Sequence, residues 1–191
     1  MKIDIYGNGA EMYTSMIRVV NAKNGGANEE TLAVIEAGKK KFIKPDIQAN
    51  FWNGDPDIDA VCRMIFKPEC NFKKNLFPFF SKKISPFNSQ NTLIARKVIK
   101  DYFLFPHIGR MDDIWASFYV TSKKYSVLYN EPTVYQQRNV HNLIKDFKDE
   151  YIGYVNSLKL VESLYKNSEN IYNFLPKKSS SAFDEWKKLT E

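Results

Sequence analysis

The sequence predicts a single α/β domain, and three observations support that class. Its 191 residues suit one domain. Hydrophobic residues make up 43% of the chain, as in ordinary globular proteins, so a chain of this length can bury a sizeable core without disulfide bonds or structural metals. Short stretches with strand character are interleaved with longer stretches of helical period. We therefore expect strands and helices around one core, followed by a helical C-terminal region.

In the first third of the chain, two strands and three helices are predicted. Alternation of polar and apolar residues predicts a strand over residues 2–6, and an apolar run predicts another over 47–52. Helical spacing of apolar residues predicts helices over residues 10–20 and 28–38. A third helix is predicted over residues 55–66, where aspartates and a proline make a favourable helix start.

The rest of the chain is predicted to be mainly helical. Residues 67–91 lack a helical period, so we expect a loop with short strands there. Helices are predicted over residues 92–103, from the turn at 109–111 onward, over 141–165 and, after three serines at 179–181, over 183–189; a strand is predicted over 125–129. We divide the chain into an α/β core, residues 1–140, and a helical extension of the same domain, residues 141–191.

Composition and charge exclude several classes of protein. The net charge is +6, but the lysines are dispersed and arginine is scarce, so we do not expect nucleic-acid binding. No apolar run is long enough for a transmembrane segment, and residues 1–6 contain no hydrophobic signal core, so we expect a cytoplasmic protein. Aromatic residues reach 15%, which fits either a phenylalanine-rich core rimmed by tyrosines or rings that stack on flat ligands.

Residues 52–59 form the first cluster that can carry chemistry. Three carboxylates, including those of Asp55 and Asp57, stand at alternate positions after Trp52 and Asn53. Carboxylate oxygens are ligands for hard divalent cations, so Asp55 and Asp57 are candidate ligands of Mn²⁺ or Mg²⁺. The same residues also suit the start of a helix, with an aspartate cap and a proline in the first turn. The residues alone leave both interpretations open.

Residues 110–115 form the second cluster, in which two adjacent aspartates lie between Arg110 and Trp115. A carboxylate beside an aromatic ring can act as general base for a sugar hydroxyl, which is a poor nucleophile until its proton is accepted. Alternatively, Asp112 caps a helix and Asp113 interacts favourably with its dipole. If Asp112 is the cap, then Asp113 is the freer side chain, so we favour Asp113 as the base.

A third cluster, residues 85–92, places amide and hydroxyl side chains around one phenylalanine. The amides of Asn88 and Gln90 donate and accept hydrogen bonds at once, which suits the hydroxyl groups of a sugar. The alternative is a polar turn before the next helix.

Taken in order, four segments resemble one family of enzymes. They are residues 51–60, 86–91, 109–116 and 136–141, with the sequences FWNGDPDIDA, PFNSQN, GRMDDIWA and QQRNVH. They are similar to the second half of the reversibly glycosylated polypeptides, also known as UDP-arabinopyranose mutases, and to the same region of STELLO-type glycosyltransferases. The resemblance covers roughly residues 47–155, and the order and spacing of the segments make it moderately specific.

The resemblance implies a GT-A-like fold, in which a mixed sheet is flanked by helices. It also implies a UDP-sugar donor, a glycan acceptor and a divalent cation, Mn²⁺ or Mg²⁺. Asp112 and Asp113 would lie at the catalytic and acceptor region, and Trp52, Asp55 and Asp57 would line the cleft. The substrate-binding residues would be Trp52, Asn53, Asn88, Gln90, Arg110, Trp115 and Arg138.

One departure from the family pattern bears on activity. In that family the nucleotide-binding strands and an acidic triplet that carries the metal lie well upstream, whereas here only about fifty residues precede Trp52, and they contain no such triplet. Either the chain is a C-terminal portion, or a partner chain supplies the nucleotide-binding half, or Asp55 and Asp57 have taken over the metal. A rival hypothesis is a non-catalytic module that keeps the fold and binds a glycan or a partner.

Overall fold

A computed structural model describes residues 18–21, 32–36, 39–67, 69–72 and 77–190, the first two ranges and residues 39–43 by their backbone alone. Three strands form an antiparallel sheet in chain order: β1 (Arg18–Asn21), β2 (Leu32–Glu36) and β3 (Lys39–Ile43). The helices predicted over 10–20 and 28–38 are therefore wrong wherever the backbone is described. A short apolar run such as residues 32–35 is compatible with a helix or a strand. Pairing with the neighbouring strands makes it a strand here. The strand predicted over 2–6 lies outside the described residues.

A second sheet carries the rest of the domain. It contains β4 (Ile47–Gly54), β5 (Phe79–Ser81), β6 (Thr92–Ile94) and β7 (Val127–Gln136), in the order β5-β7-β4-β6. The central pair β4 and β7 is parallel, and both outer pairs are antiparallel. The mixed sheet flanked by helices is thus confirmed, as are the strands predicted after residues 47 and 125. The boundary between core and extension at residue 140 stays a prediction.

Four helices flank this sheet: α1 (Ala60–Ile65), α2 (Asp112–Ser122), α3 (Leu143–Lys166) and α4 (Lys177–Thr190). Short 3₁₀ turns lie at Arg96–Val98, Gly109–Met111 and Ser168–Asn173. The helix predicted over 92–103 is wrong, because β6 pairs with β4 there and only a 3₁₀ turn follows. The serines at 179–181 do not precede the last helix; they lie within α4, and Ser179 is fully buried.

The core lies between the second sheet and helices α2, α3 and α4. Trp115 and Tyr119 of α2 are fully buried, as are Leu160 of α3 and Phe183 of α4. The spacing of apolar residues along α3 would place Leu158 on its apolar face, but that side chain is 73% exposed. The buried positions of α3 are Glu150, Gly153, Leu160 and Leu164. Among the described residues, no helix is both long and apolar enough to cross a bilayer.

The Gly109–Met111 turn is held close against α3, and this contact positions the start of α2. Gly109 has a φ of +63°, and a Cβ there would lie 1.9 Å from the carbonyl oxygen of Asp149. On the next turn of α3, Gly153 faces the side chain of Met111, whose Sδ would lie 2.2 Å from an added Cβ. Since neither glycine can carry a side chain without displacing its neighbour, α3 fixes the height at which Asp112 and Asp113 enter α2.

Candidate functional site

The site lies where the parallel strands β4 and β7 end. The loops that leave these two strands at their carboxyl ends are neighbours, because the backbone N–H of Asp55 donates to the carbonyl of Gln136 over 2.9 Å. In sheets with parallel strands, ligands commonly bind outside the carboxyl ends. Two pockets lie at this edge.

We call the first the acidic pocket. It has a volume of about 410 Å³ and lies between the loop after β4, the start of α2 and one face of α3. Four carboxylates and one guanidinium line it, together with an apolar wall that includes Ile58, Ile114 and Phe118; the charged groups are Asp57, Asp59, Asp113, Glu150 and Arg110. The excess of carboxylates gives this pocket a negative potential.

Asp57 is held by two arginines. Arg138, whose side chain is only 8% exposed, contacts Asp57 Oδ1 through Nη2, and Arg110 Nη2 lies 3.4 Å from the same oxygen. The other oxygen, Oδ2, accepts a hydrogen bond of 2.7 Å from Gln90 Nε2. Arg110, Arg138 and Gln90, which were predicted to bind substrate, therefore all contact Asp57. The two arginines compensate the negative charge of Asp57 within the protein.

Glu150 anchors the opposite wall. It is 3% exposed, and its Oε2 accepts from the Tyr154 hydroxyl at 2.8 Å and from Ala60 N, the first residue of α1, at 2.7 Å. Its Oε1 accepts from Arg110 Nε at 3.0 Å. Burial of Arg110 works against its charge, yet the nearby carboxylates of Asp57, Asp146 and Glu150 raise its pKa. The Arg110 charge is thus fixed, and it links α3 to the loop after β4.

Asp113 has a different environment in the same pocket. Its Oδ2 accepts hydrogen bonds from Ser89 N at 2.8 Å and Ser89 Oγ at 3.2 Å. Within the described part of the chain, no lysine or arginine forms an ion pair with it. Burial is the main cause that raises the pKa of Asp113, with Asp112 and Asp57 adding repulsion that the Ser89 hydrogen bonds only partly offset. A carboxylate with a raised pKa in a pocket is a candidate general base.

Asp112 does not cap helix α2. The N-cap of α2 is Met111, no side chain caps the helix, and Asp112 is the first helical residue. The helix-cap interpretation is also wrong for Asp55 and Asp57, because α1 begins only at Ala60. Its N-cap is Asp59, whose Oδ1 accepts from Cys62 N at 3.0 Å.

The carboxylate of Asp55 is paired as well, which bears on the predicted metal site. Arg63 Nη2 donates to Asp55 Oδ1 over 2.5 Å. Among the described residues, no three histidine, cysteine, aspartate or glutamate side chains are grouped so that they can hold a metal ion. Asp55 and Asp57 each have guanidinium partners, so this arrangement fits ion pairs better than a Mn²⁺ or Mg²⁺ site. The metal stays a prediction, and the proposed reaction does not depend on it.

Two of the predicted substrate-binding residues have structural roles instead. Trp115 is fully buried, and its indole N–H donates to Ser157 Oγ over 3.0 Å, which corrects the expectation that its ring faces a ligand. Asn53 Oδ1 accepts from Phe72 N at 2.9 Å and so ties the end of β4 to the following loop. Asn88 does line the acidic pocket, as the sequence predicts.

We call the second pocket the amide pocket. It has a volume of about 490 Å³, and its lining residues are Trp52, Gln90, Asn91, Val134, Tyr135, Gln136 and Gln137. Four of the seven side chains carry an amide and two carry an aromatic ring. Gln90 lines this pocket and bonds to Asp57 of the acidic pocket, so the two pockets share a wall.

Glu150, Tyr154 and Ser89 belong to the site and were not among the sequence predictions. Glu150 and Tyr154 stand one helical turn apart on α3, and a carboxylate among the apolar positions of the helix was the available signal. Ser89 lies in the polar cluster 85–92, but nothing in the sequence pairs it with Asp113. The amide pocket adds further lining residues that were not predicted: Asn91, Val134, Tyr135, Gln136 and Gln137. Outside both pockets, the hydroxyl of Tyr102 is buried without a hydrogen-bond partner among the described residues, and burial, then repulsion from Asp113 and Asp112, raises its pKa.

Comparison with known proteins adds no family to these observations. No protein-family model matches the chain, and no curated protein matches its sequence.

Proposed function

We propose that the chain is a glycosyltransferase-type domain that uses a nucleotide-sugar donor, and that the acidic pocket binds the acceptor glycan. The observation that carries this proposal is the environment of Asp113. Its carboxylate lies in a pocket, accepts hydrogen bonds from Ser89, forms no ion pair with a lysine or arginine of the described residues and has a raised pKa. A general base works best when its pKa lies near the pH at which the enzyme operates. Burial raises the pKa of an aspartate toward that range.

In the proposed reaction, an acceptor hydroxyl attacks the anomeric carbon of the donor sugar. The new bond joins the acceptor oxygen to that carbon, and the bond between the carbon and the nucleotide diphosphate breaks. The proton of the hydroxyl passes to Asp113 as the attack proceeds. The amide of Asn88 and the hydroxyl of Tyr154, which also line the pocket, orient the acceptor through its other hydroxyls.

The charge of the acidic pocket favours an uncharged acceptor over the donor diphosphate. The carboxylates of the acidic pocket outnumber its guanidinium groups even when Arg138, which contacts Asp57, is counted, and the excess would repel phosphate groups, since like charges at short range destabilise each other even in partly exposed sites. The nucleotide end of the donor therefore binds elsewhere, on a partner chain or on another part of this protein.

The test is a transfer assay with the adjacent aspartates as a matched pair. Asp113→Asn keeps the shape of the side chain and can still accept from Ser89, but it cannot take a proton. We expect turnover with a UDP-sugar donor to fall by roughly 10²-fold or more, while Asp112→Asn stays within about twofold of the unmodified protein. Equal, small losses at both positions would refute the assignment of the base.

A second candidate function is a non-catalytic glycan-binding module. The observation that favours it is the pairing of Asp55 and Asp57 with arginines, which leaves neither carboxylate free for the metal of a donor complex. Calorimetric titration distinguishes the two functions. Heat from UDP-sugars, with or without Mn²⁺, supports the enzyme; heat from glycans alone, in a protein shown to be folded, supports the binding module.

A further inference from the structure

The amide pocket differs from the acidic pocket in charge. None of its seven lining side chains is ionised at neutral pH, although one of them, Gln90, donates a hydrogen bond to Asp57 of the acidic pocket. Uncharged pockets with a few convergent polar groups are typical sites for uncharged organic ligands. The side-chain amides of Gln136 and Gln137 offer both donors and acceptors, which matches ligands whose groups also do both, such as sugar hydroxyls.

The aromatic part of the amide pocket is held in place by the backbone. Gly54, the last residue of β4, has a φ of +95°, and a Cβ there would lie 2.9 Å from ring atoms of Tyr135. The Tyr135 ring therefore lies against the backbone of Gly54, two residues from Trp52, yet it remains 70% exposed. A large aromatic surface that is fixed and still open to solvent is suited to stacking on the apolar face of a sugar ring.

Trp52 contributes a second unusual feature. Its indole Nε1 is buried without a hydrogen-bond partner. Buried tryptophan N–H groups usually donate a hydrogen bond, but the described residues supply no acceptor for this one.

From these features we infer that the amide pocket binds a second sugar ring of the acceptor, so that the acceptor is an uncharged oligosaccharide and not a free monosaccharide. The ring next to the reacting one stacks on Trp52 and Tyr135, while the reacting hydroxyl lies near Asp113. The contact of Gln90 with Asp57 stands between the two rings. This inference rests on the proposed function and names its substrate class.

A nucleobase is the other flat, uncharged group that fits such a pocket, and charge argues against it. A base bound here would bring its diphosphate next to the acidic pocket, whose carboxylates outnumber the arginines that contact them and therefore repel phosphate. A neutral oligosaccharide meets no such penalty.

The indole N–H signals of the labelled protein test the inference directly, since the sequence contains three tryptophans. Trp186 is the internal control, because it lines neither pocket and donates to the Ile99 carbonyl. Trp115 donates to Ser157, which lines the acidic pocket, so its signal reports on that pocket. We would titrate the protein with neutral trisaccharides of glucose, xylose and galactose, with the three monosaccharides, and with uridine and UDP. The Trp52 signal should shift with at least one trisaccharide, while that of Trp186 stays in place.

A pair of tyrosine variants tests the stacking surface. Tyr135→Ala should weaken binding of that trisaccharide by roughly tenfold and leave any binding of its monosaccharide unchanged. Tyr165→Ala is the control, because Tyr165 is a similarly exposed tyrosine, 57% accessible, that lies on α3 and lines neither pocket. Both substitutions remove a ring from the surface, so a loss of folding is not expected from either.

Three outcomes would overturn the inference: no shift of Trp52 with any saccharide, a shift with uridine or UDP alone, or equal effects of the two tyrosine variants. The result is separable from that of the transfer assay. A trisaccharide that shifts Trp52 in a protein without transfer activity removes the catalytic proposal and leaves an oligosaccharide-binding site. The opposite result is transfer that depends on Asp113, uses monosaccharides equally well and leaves the Trp52 signal unchanged. That result keeps the catalytic proposal and removes the oligosaccharide site.

Discussion

Asp57 and Asp113 are two aspartates in one pocket with opposite surroundings. Asp57 is contacted by the guanidinium groups of Arg110 and Arg138 and by the amide of Gln90. Asp113 accepts hydrogen bonds from the backbone N–H and hydroxyl of Ser89, and burial raises its pKa. The comparison teaches that the partners of a carboxylate, more than its place in a cleft, decide whether it holds structure or can exchange a proton.

Of the substitutions that test this comparison, replacement of Asp57 should have the largest effect on stability. Asp57→Ala leaves Arg110 and Arg138 without their shared counter-ion, and the Arg138 side chain is only 8% exposed. We expect the free energy of unfolding, measured by urea denaturation, to fall by about 3 kcal/mol. The double variant Asp57→Ala/Arg138→Met removes the uncompensated charge and should recover part of the loss. A double variant no more stable than the single one contradicts this account.

Glu150 gives the next largest effect, because it shares Arg110 with Asp57. Glu150→Gln keeps the size of the side chain but replaces one acceptor oxygen with a donor, which then faces Arg110, Tyr154 or Ala60 N. We expect a loss of about 1–2 kcal/mol in the same measurement. Glu162→Gln, an exposed position on the same helix, is the matched control and should change little. Equal losses at the two positions would show that the Glu150 contacts contribute no stability.

On the Asp113 side the effect should be smaller and should depend on pH. Because the folded pKa is raised above the ordinary value of 3.8, ionised Asp113 costs the folded state free energy. Stability associated with the protonated carboxyl is present below 3.8 and is lost as pH rises through the folded pKa. Asp113→Asn should therefore be more stable than the unmodified protein at neutral pH, by less than about 1 kcal/mol, with the difference shrinking toward acid. Urea denaturation between pH 3 and 8 measures it; a difference that grows toward acid reverses the sign.

Leu158 provides the baseline for these comparisons. Its side chain is 73% exposed on α3, so Leu158→Asp places a charge in solvent and not in the core. We expect the free energy of unfolding to change by less than about 0.5 kcal/mol. A loss of several kcal/mol would mean that this face of α3 is covered in solution.

The elements that sequence reasoning located are those with a long or strongly marked pattern. The long helix α3, the helix that starts at Asp112 and the strand at Ile47 are all present near their predicted bounds. The misplaced helix over 92–103 shows the limit, since residues 92–94 become a strand only through pairing with β4. Local propensity carries no information about a partner strand so distant in sequence.

The candidate site follows the same rule. Clustering in the sequence pointed to Asp57, Gln90, Arg110 and Asp113, and the family resemblance pointed to Arg138. The structure brings these residues to one edge of the sheet. The sequence did not show which of these residues contact each other. Asp57 has a charged partner because Arg138 approaches it from one loop, whereas Asp113 accepts hydrogen bonds from Ser89 of another loop and has no such partner among the described residues. Glu150 was missed because its role depends on the backbone N–H of Ala60, with which it shares no sequence pattern.

The parallel pairing of β4 with β7 has a consequence for the order of events in folding. Asp46 and Ser126, which begin that pairing, are 80 residues apart, and Ala60 and Glu150 are 90 apart. Contacts between such distant residues form slowly, since a long loop must close before they stabilise anything. During synthesis, neither pocket can exist until β7 has emerged, and the wall formed by Glu150 arrives later still. Ligand binding should therefore be recovered only in the slowest phase of refolding, after most of the helical signal has returned.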